Sequence, residues 1–348
     1  MFAKRSLSLQ RPLRRPGLAA GLFLLAPLVG EFLLGNLPIT WLWTLLTLAP
    51  LYGGGALLIR ETIRRAGFGW PSMILLGLAY AVVEEAFVTE SLFNPNYVGL
   101  RLLDYGYIPA LGIGSWWTVF VLSLHTIWST AVPIALIESL AGPARRTPWL
   151  GPIGLGVTAL IFIAGCIVTS GFQEPAEYGA SAKQLVGSAA VVIGLVVLAV
   201  VLGRRTRARR PHENPARSTT CAPLTAGVTT LGAGSVFMGF VIVHNAIPAA
   251  VNVVGMLLLL AVVAATIARW SRAPDWSARH ELAAAAGFML TYVWYSFVQV
   301  PSVGETSPMV DLIGNVVFGL GAILLLMFAW RRLDHAPASP VETGARER

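Results

Sequence analysis

Ten largely apolar stretches, each close to 20 residues long, divide this chain at about 17–36, 40–59, 71–92, 116–140, 149–172, 185–203, 224–247, 249–269, 281–300 and 309–330. About 20 such residues carry an α-helix across the hydrocarbon core of a bilayer. Lipid offers no partner to an unpaired backbone N–H or C=O, so an open strand cannot occupy that position. The expected fold is therefore all-α, a polytopic transmembrane bundle of about ten spans. Composition agrees: 55% of the 348 residues are hydrophobic and 12% are charged, against roughly 25% charged in soluble domains. The seventh and eighth stretches are parted only by a turn at Ile247-Pro248.

Charge predicts the orientation. With the N-terminus in the cytoplasm, all of the 25 Lys and Arg except Arg101 and Lys183 fall on inner segments. That bias predicts both termini inside a cell membrane. It accounts for the net charge of +8. The Arg-rich stretch 204–217 reads as a cytoplasmic loop beside anionic lipid, and no nucleic-acid partner is expected. The lipid bilayer is the expected partner.

The basic segment Met1–Arg15 precedes a hydrophobic run without a small-x-small site nearby, so it reads as leading into a retained first helix. Cys166 and Cys221 predict no disulfide, and nothing resembles a metal knuckle. The chain reads as one integral membrane domain, 1–348, with a basic loop at 204–222 between a six-helix and a four-helix part. The tail 333–348 is expected to be disordered. The outer loop 93–115 is rich in Leu, Ile, Tyr and Gly, and is expected to lie in the interface or re-enter the protein.

Against that background two carboxylates stand out. Glu84 and Glu85 lie inside the third apolar stretch. An ionised side chain near the bilayer centre costs at least about 2.5–3.5 kcal/mol, so the pair must face protein or water, hold a proton or bind something. Glu84 is about 13 residues along its helix, roughly 20 Å from the inner end. His125 on the fourth stretch falls at a similar level. His244, Asn245, Asn252, Tyr292, Tyr295, Gln299, Asp311 and Asn315 also fall in the outer half, and Glu31 is expected near the headgroups. Glu138 is the exception, near the inner end of the fourth stretch. Tyr80, Glu84 and Ser91 share one helix face, and Pro133 is expected to kink the fourth helix.

Two adjacent carboxyl groups in a low-dielectric site rarely both ionise, and a carboxylate with imidazoles can do general acid–base work on water. Glu and His also ligate zinc. The double Glu on one span with histidines on later spans resembles the CPBP superfamily of CAAX-type and bacteriocin-processing intramembrane proteases, with the PrsW-type proteases as relatives. Thr89 stands where that family's motif has Arg. Phe240-Val-Ile-Val-His244 matches the Phe-x-x-x-His string but comes where the His-x-x-x-Asn motif belongs. His125 has Val121 in the Phe position, and Pro248 replaces the expected Asn. The resemblance implies a hydrolase with Glu84, Glu85, His125 and His244 as catalytic residues. Glu84, His125 and His244 would hold any divalent metal such as zinc. Asn245, Asn252, Tyr295 and Asp311 would support the site, and a membrane-embedded peptide would be the substrate. A proton- or cation-coupled transporter, or a non-catalytic scaffold descended from such a protease, are the alternatives.

Overall fold

The computed structural model describes residues 15–172, 178–209 and 221–335. Residues 1–14, 173–177, 210–220 and 336 onward lie outside the described residues; the expected basic loop 204–222 is helical as far as Arg209. Among the described residues nine helical runs are long and apolar enough to cross a membrane. These are α1 (Pro16–Leu33), α2 (Ile39–Ala66), α3 (Trp70–Val88), α4 (Ser115–Leu140), α5 (Pro152–Gly171), α6 (Ala182–Ala208), α7 (Pro223–Ile242), α8 (Ala249–Trp270) and α10 (Pro308–Asp334). The remaining helix, α9 (Ala278–Tyr295), begins with Arg279, His280 and Glu281 and is less apolar. Its environment explains this. His280, Leu282, Ala283, Ala285, Gly287, Met289, Thr291, Tyr292 and Tyr295 are all buried, so α9 faces protein where its neighbours face lipid.

Burial sorts the helices into a centre and a rim. The apolar stretch of α4 is 78% buried, while those of α5, α6 and α8 are 11%, 6% and 11% buried. Rim helices with bare Leu, Ile and Val faces match lipid tails, whereas α4 is surrounded by side chains. Trp128 of α4 ties the two parts of the chain together. It stacks on Tyr292 with ring centres 4.8 Å apart, and its indole N–H donates to the Phe288 carbonyl at 2.7 Å.

Four of these helices contain a π-helical turn: Leu28–Leu33 in α1, Ala49–Gly53 in α2, Glu84–Val88 in α3 and His125–Ala131 in α4. Local sequence explains three of them. Pro27, Pro50 and Pro133 each lack an N–H and crowd the carbonyl one turn back, and a widened turn absorbs the misfit. The expected kink at Pro133 takes this form. Such turns recur at functional sites because they break the regular hydrogen-bond ladder and re-aim side chains.

The second helix runs seven residues beyond the expected 59, to Ala66, where Gly67 at φ +68 closes it with Gly67 N–H to Arg64 O and Phe68 N–H to Ile63 O. Arg60, Arg64 and Arg65, read from sequence as loop charges, are therefore helical, and Arg60 and Arg64 are buried. The segment after α3 folds back over the helix ends. It contains a short antiparallel pair, β1 (Tyr107–Ile108) with β2 (Ile113–Gly114), and Tyr105 donates to the Ile247 carbonyl in the turn between α7 and α8. Its Leu103 is buried.

Candidate functional site

Glu84, Glu85 and His125 meet in the interior, each with one donor atom within 4.8 Å of the others. They are 1%, 4% and 3% exposed. Both π turns begin at these residues: Glu84 and Glu85 open one, His125 opens the other. The histidine bridges the pair. Its Nε2 is 2.7 Å from Glu85 Oε1, and its Nδ1 is 3.2 Å from Glu84 Oε2 and 3.2 Å from Ser129 Oγ.

The two glutamates differ in how completely they are held. Glu85 Oε2 accepts from the hydroxyls of Thr89, at 3.1 Å, and Ser91. Ser91 in turn accepts from the Trp117 indole N–H at 3.1 Å. Glu90 makes that return possible. It adopts left-handed backbone, φ +54, which turns the chain so that Ser91 comes back over the end of α3. Left-handed backbone costs a non-glycine residue roughly 1–2 kcal/mol, and the Glu90 carboxylate accepts from the Ala180 N–H at 2.8 Å as a partial offset. By contrast Glu84 is held more loosely: its Oε2 faces His125 Nδ1 at 3.2 Å, and the hydroxyls of Tyr80, one turn before it, and Tyr52 are its neighbours. Tyr80 sets its ring edge-on to His125, with centres 6.3 Å apart.

A third carboxylate closes the site from α1. Glu31 is 9% exposed, so the sequence expectation of a headgroup position is corrected. It accepts from the Tyr52 hydroxyl and from Asn36 Nδ2 at 2.6 Å. The Tyr52 ring lies 5.6 Å from that of His125. Glu31 and Tyr52 sit on the remaining two π turns, so all four widened turns contribute to one locus. Close packing makes this approach feasible. A Cβ on Gly30 would fall 2.8 Å from Ser129 Oγ and 3.1 Å from the Tyr52 ring.

The second histidine of the sequence reading lies elsewhere. His244 stacks on Trp116 at 4.4 Å, packs against Tyr105, and its Nδ1 faces the Val241 carbonyl at 2.7 Å. The reason is local: α7 ends at Ile242, and His244 belongs to a short 3-10 turn among the loop aromatics. Its expected catalytic and metal roles are corrected accordingly. Asn245 is exposed in the same turn. Asn252 donates to the Phe240 carbonyl at 2.8 Å and pins α8 to α7. Tyr295 is buried edge-on to Trp294, and Asp311 pairs with Asn315 at 3.4 Å. Asn252, Tyr295 and Asp311 thus serve helix packing, and their contacts lie away from the Glu84–Glu85–His125 centre. Sequence reasoning missed Tyr52 as a partner; Thr89 and Ser129 follow Glu85 and His125 on the same helix faces, and Ser91, read on the face of Glu84, bonds Glu85 instead.

A separate ionic cluster occupies the opposite end of α2 and α4. Glu138 receives Arg60 Nε at 3.0 Å and Arg64 Nε at 2.7 Å. Arg60 also contacts Glu61, donates to the carbonyls of Arg145 at 3.0 Å and Thr147 at 2.8 Å, and lies 3.4 Å from the centre of the Trp149 ring. Glu61 accepts from the backbone N–H of Trp149 and Leu150 at 2.9 and 3.0 Å. Buried charges persist where every donor and acceptor is met, and removing one partner is costly. Glu138, the polar outlier of the sequence reading, is thus a structural counter-ion.

A family model matches residues 22–334, from α1 to the end of α10, and so takes in every residue of the central cluster. Its description is "Uncharacterized membrane protein family". The chain belongs to this family. No curated protein and no solved structure matches the chain. Membership makes it a multi-pass membrane protein residing in a lipid bilayer, and its chemistry is argued from the cluster itself.

Proposed function

We propose that this protein is a glutamate-dependent intramembrane hydrolase of the kind the CPBP resemblance implies, acting on a membrane-embedded peptide. The observation that carries the reading is the meeting of two carboxylates and an imidazole, fully buried, at the π turns of α3 and α4. Placing those groups together at membrane depth is expensive, and stability alone would be better served by apolar side chains of similar size.

In this scheme Glu84 and His125 form the working edge and Glu85 holds the imidazole. Water donates one proton to Glu84 as its oxygen bonds to the scissile carbonyl carbon. The carbonyl electron pair moves onto oxygen, where His125 stabilises the charge. Collapse breaks the C–N bond, and the proton held by Glu84 passes to the departing amine. The chain departs from the resembled motifs in supplying one imidazole where two are implied, and Tyr52 and Tyr80 stand beside His125 instead.

The transport alternative needs a polar path to the other end of the bundle. There Glu138 is fully engaged by Arg60 and Arg64, which argues against it. The scaffold alternative draws its support from His244 lying among loop aromatics. The concentration of Arg at one set of helix ends and loops supports a cell-membrane location with both termini cytoplasmic.

The test is cleavage of labelled single-span peptides by purified protein in bilayers, wild type beside Glu84→Gln and His125→Gln. Cleavage that disappears in folded variants supports the hydrolase. Cleavage that persists in both would remove it.

A further inference from the structure

We infer that the groove where α2 and α6 end is a seat for one anionic phospholipid, its phosphate held by Arg204 and Arg207 and its acyl chain lying along the bare face of α6. Among the described residues the groove is lined by Ala66, Phe68, Arg204, Arg207 and Ala208 and has a volume of about 520 Å³. Sites for small molecules commonly hold roughly 300–1,000 Å³. The groove stands where the span of α2 stops at Ala66 and that of α6 stops at Ala208, which is the depth of lipid headgroups.

Packing fixes its walls. Gly203 lets the backbone of α6 press on the Phe68 ring, since a Cβ there would fall 2.4 Å from that ring. One turn earlier the Ser72 hydroxyl donates to the Ala199 carbonyl at 2.7 Å and clamps α3 to α6. Arg207 donates to the Ala66 carbonyl at 3.0 Å and so closes the end of α2. That acceptor is neutral, so the guanidinium keeps its charge and has further N–H groups to offer. Arg204 is exposed three residues before it, on the same side of the helix. A guanidinium is a planar fork that matches two oxygens of a phosphate.

Charge and apolar surface are laid out for a molecule with a head and a tail. Val201, Val197 and Ile193 precede Arg204 by three, seven and eleven residues, so they form one stripe. All three are exposed. Arg204 therefore ends an apolar stripe that faces acyl chains. Charge that only sets orientation needs neither a cavity nor this alignment. Basic pockets between spans at headgroup depth are a recurrent form of anionic-lipid site. A small anion would gain from the arginines alone, whereas an anionic lipid gains from the stripe as well. The inference is independent of the Glu84–Glu85–His125 centre and of the hydrolytic reading.

The experiment is native mass spectrometry of the purified full-length protein in detergent. It is titrated with phosphatidylglycerol, with phosphatidylcholine of the same chains, and with inorganic phosphate as competitor. Wild type is expected to retain one phosphatidylglycerol in preference to phosphatidylcholine and to keep it when phosphate is added. Arg204→Gln and Arg207→Gln are each expected to weaken retention about five-fold, the equivalent of roughly 1 kcal/mol per arginine near a membrane surface. Arg207→Lys, which keeps the charge and a donor for Ala66, is expected to keep most of the binding. The control is Arg331→Gln with Arg332→Gln. These exposed residues close α10 and do not line the groove. They lie at the same end of the bundle, which the contacts Arg60–Thr147, Arg145–Glu281 and Arg279–Asp334 hold together. The control is expected to bind as wild type does. Equal losses in control and groove variants would reduce the effect to bulk charge and overturn the site. Equal retention of the two lipids would also overturn it. Full displacement by inorganic phosphate would leave an anion site and remove the lipid. Each variant is compared at a wild-type unfolding midpoint, and Arg204→Gln, which leaves the Ala66 bond intact, decides the outcome where Arg207→Gln does not fold.

Discussion

Glu85 Oε1 and His125 Nε2 stand 2.7 Å apart and join residues 40 positions distant in the chain. The contact is one link of a longer series. Trp117 donates to Ser91, Ser91 to Glu85, and Glu85 faces His125. Every member is on α3, on α4 or in the turn that ends α3, so the series fixes how those helices meet.

Glu85→Ala is expected to destabilise the protein more than Glu85→Gln. Alanine leaves the Thr89 and Ser91 hydroxyls and the His125 ring nitrogen without their acceptor, at a cost of about 2–4 kcal/mol. Glutamine keeps the shape and one oxygen. Thermal unfolding of both variants in the same detergent checks the order, and equal midpoints would contradict it.

Glu138→Ala is expected to be among the most damaging substitutions outside the central site. It strands the guanidinium groups of Arg60 and Arg64 in a buried position, with an expected loss of about 3–5 kcal/mol. The matching measurement is the unfolding midpoint. Combined replacement of all three, Glu138, Arg60 and Arg64, by apolar residues should recover part of the loss.

His244→Ala should leave any cleavage at wild-type level, because its ring packs on Trp116 and Tyr105. A modest stability loss of about 0.5–1.5 kcal/mol from the lost stacking is expected, with His244→Phe restoring most of it. Abolished cleavage in a folded His244→Ala protein would bring the histidine back into the centre.

Gly53→Ala is expected to disturb the site without touching a titratable group. A Cβ there would lie 1.9 Å from the Phe23 carbonyl oxygen, backbone that cannot rotate away. The added methyl must push α1 from α2 and so separate Glu31 from Tyr52, at a cost of about 1–3 kcal/mol. Loss of expression or a lowered unfolding midpoint checks it.

Much of the bundle was legible in the apolar periodicity, since lipid leaves few alternatives to helices of fixed length. The Glu84–Glu85 pair and His125 were legible for the same reason, because charge at that depth needs an explanation. Arg60 and Arg64 were misread because a loop beside the membrane and a buried ion pair at a helix end share one local composition. Only the distant Glu138 distinguishes them. His244 was misplaced because the Phe240–His244 spacing presumes helix to the end, whereas α7 stops at Ile242. Glu31 was left to the headgroups because its partner, Tyr52, is 21 residues away.

A π turn is an α-helix with one residue too many. Each of the four helices around the centre therefore carries a local insertion, and everything after it is out of phase by about 100° with an uninterrupted helix. Removing a single residue from any one of these turns would give a better-bonded helix and swing the following side chains to a different face. The alignment of Glu31, Tyr52, Glu84, Glu85 and His125 is thus recorded in the residue count of the helices as much as in the identity of the side chains. Relatives that keep the same acids but differ by one residue within these turns would present a differently aimed interior.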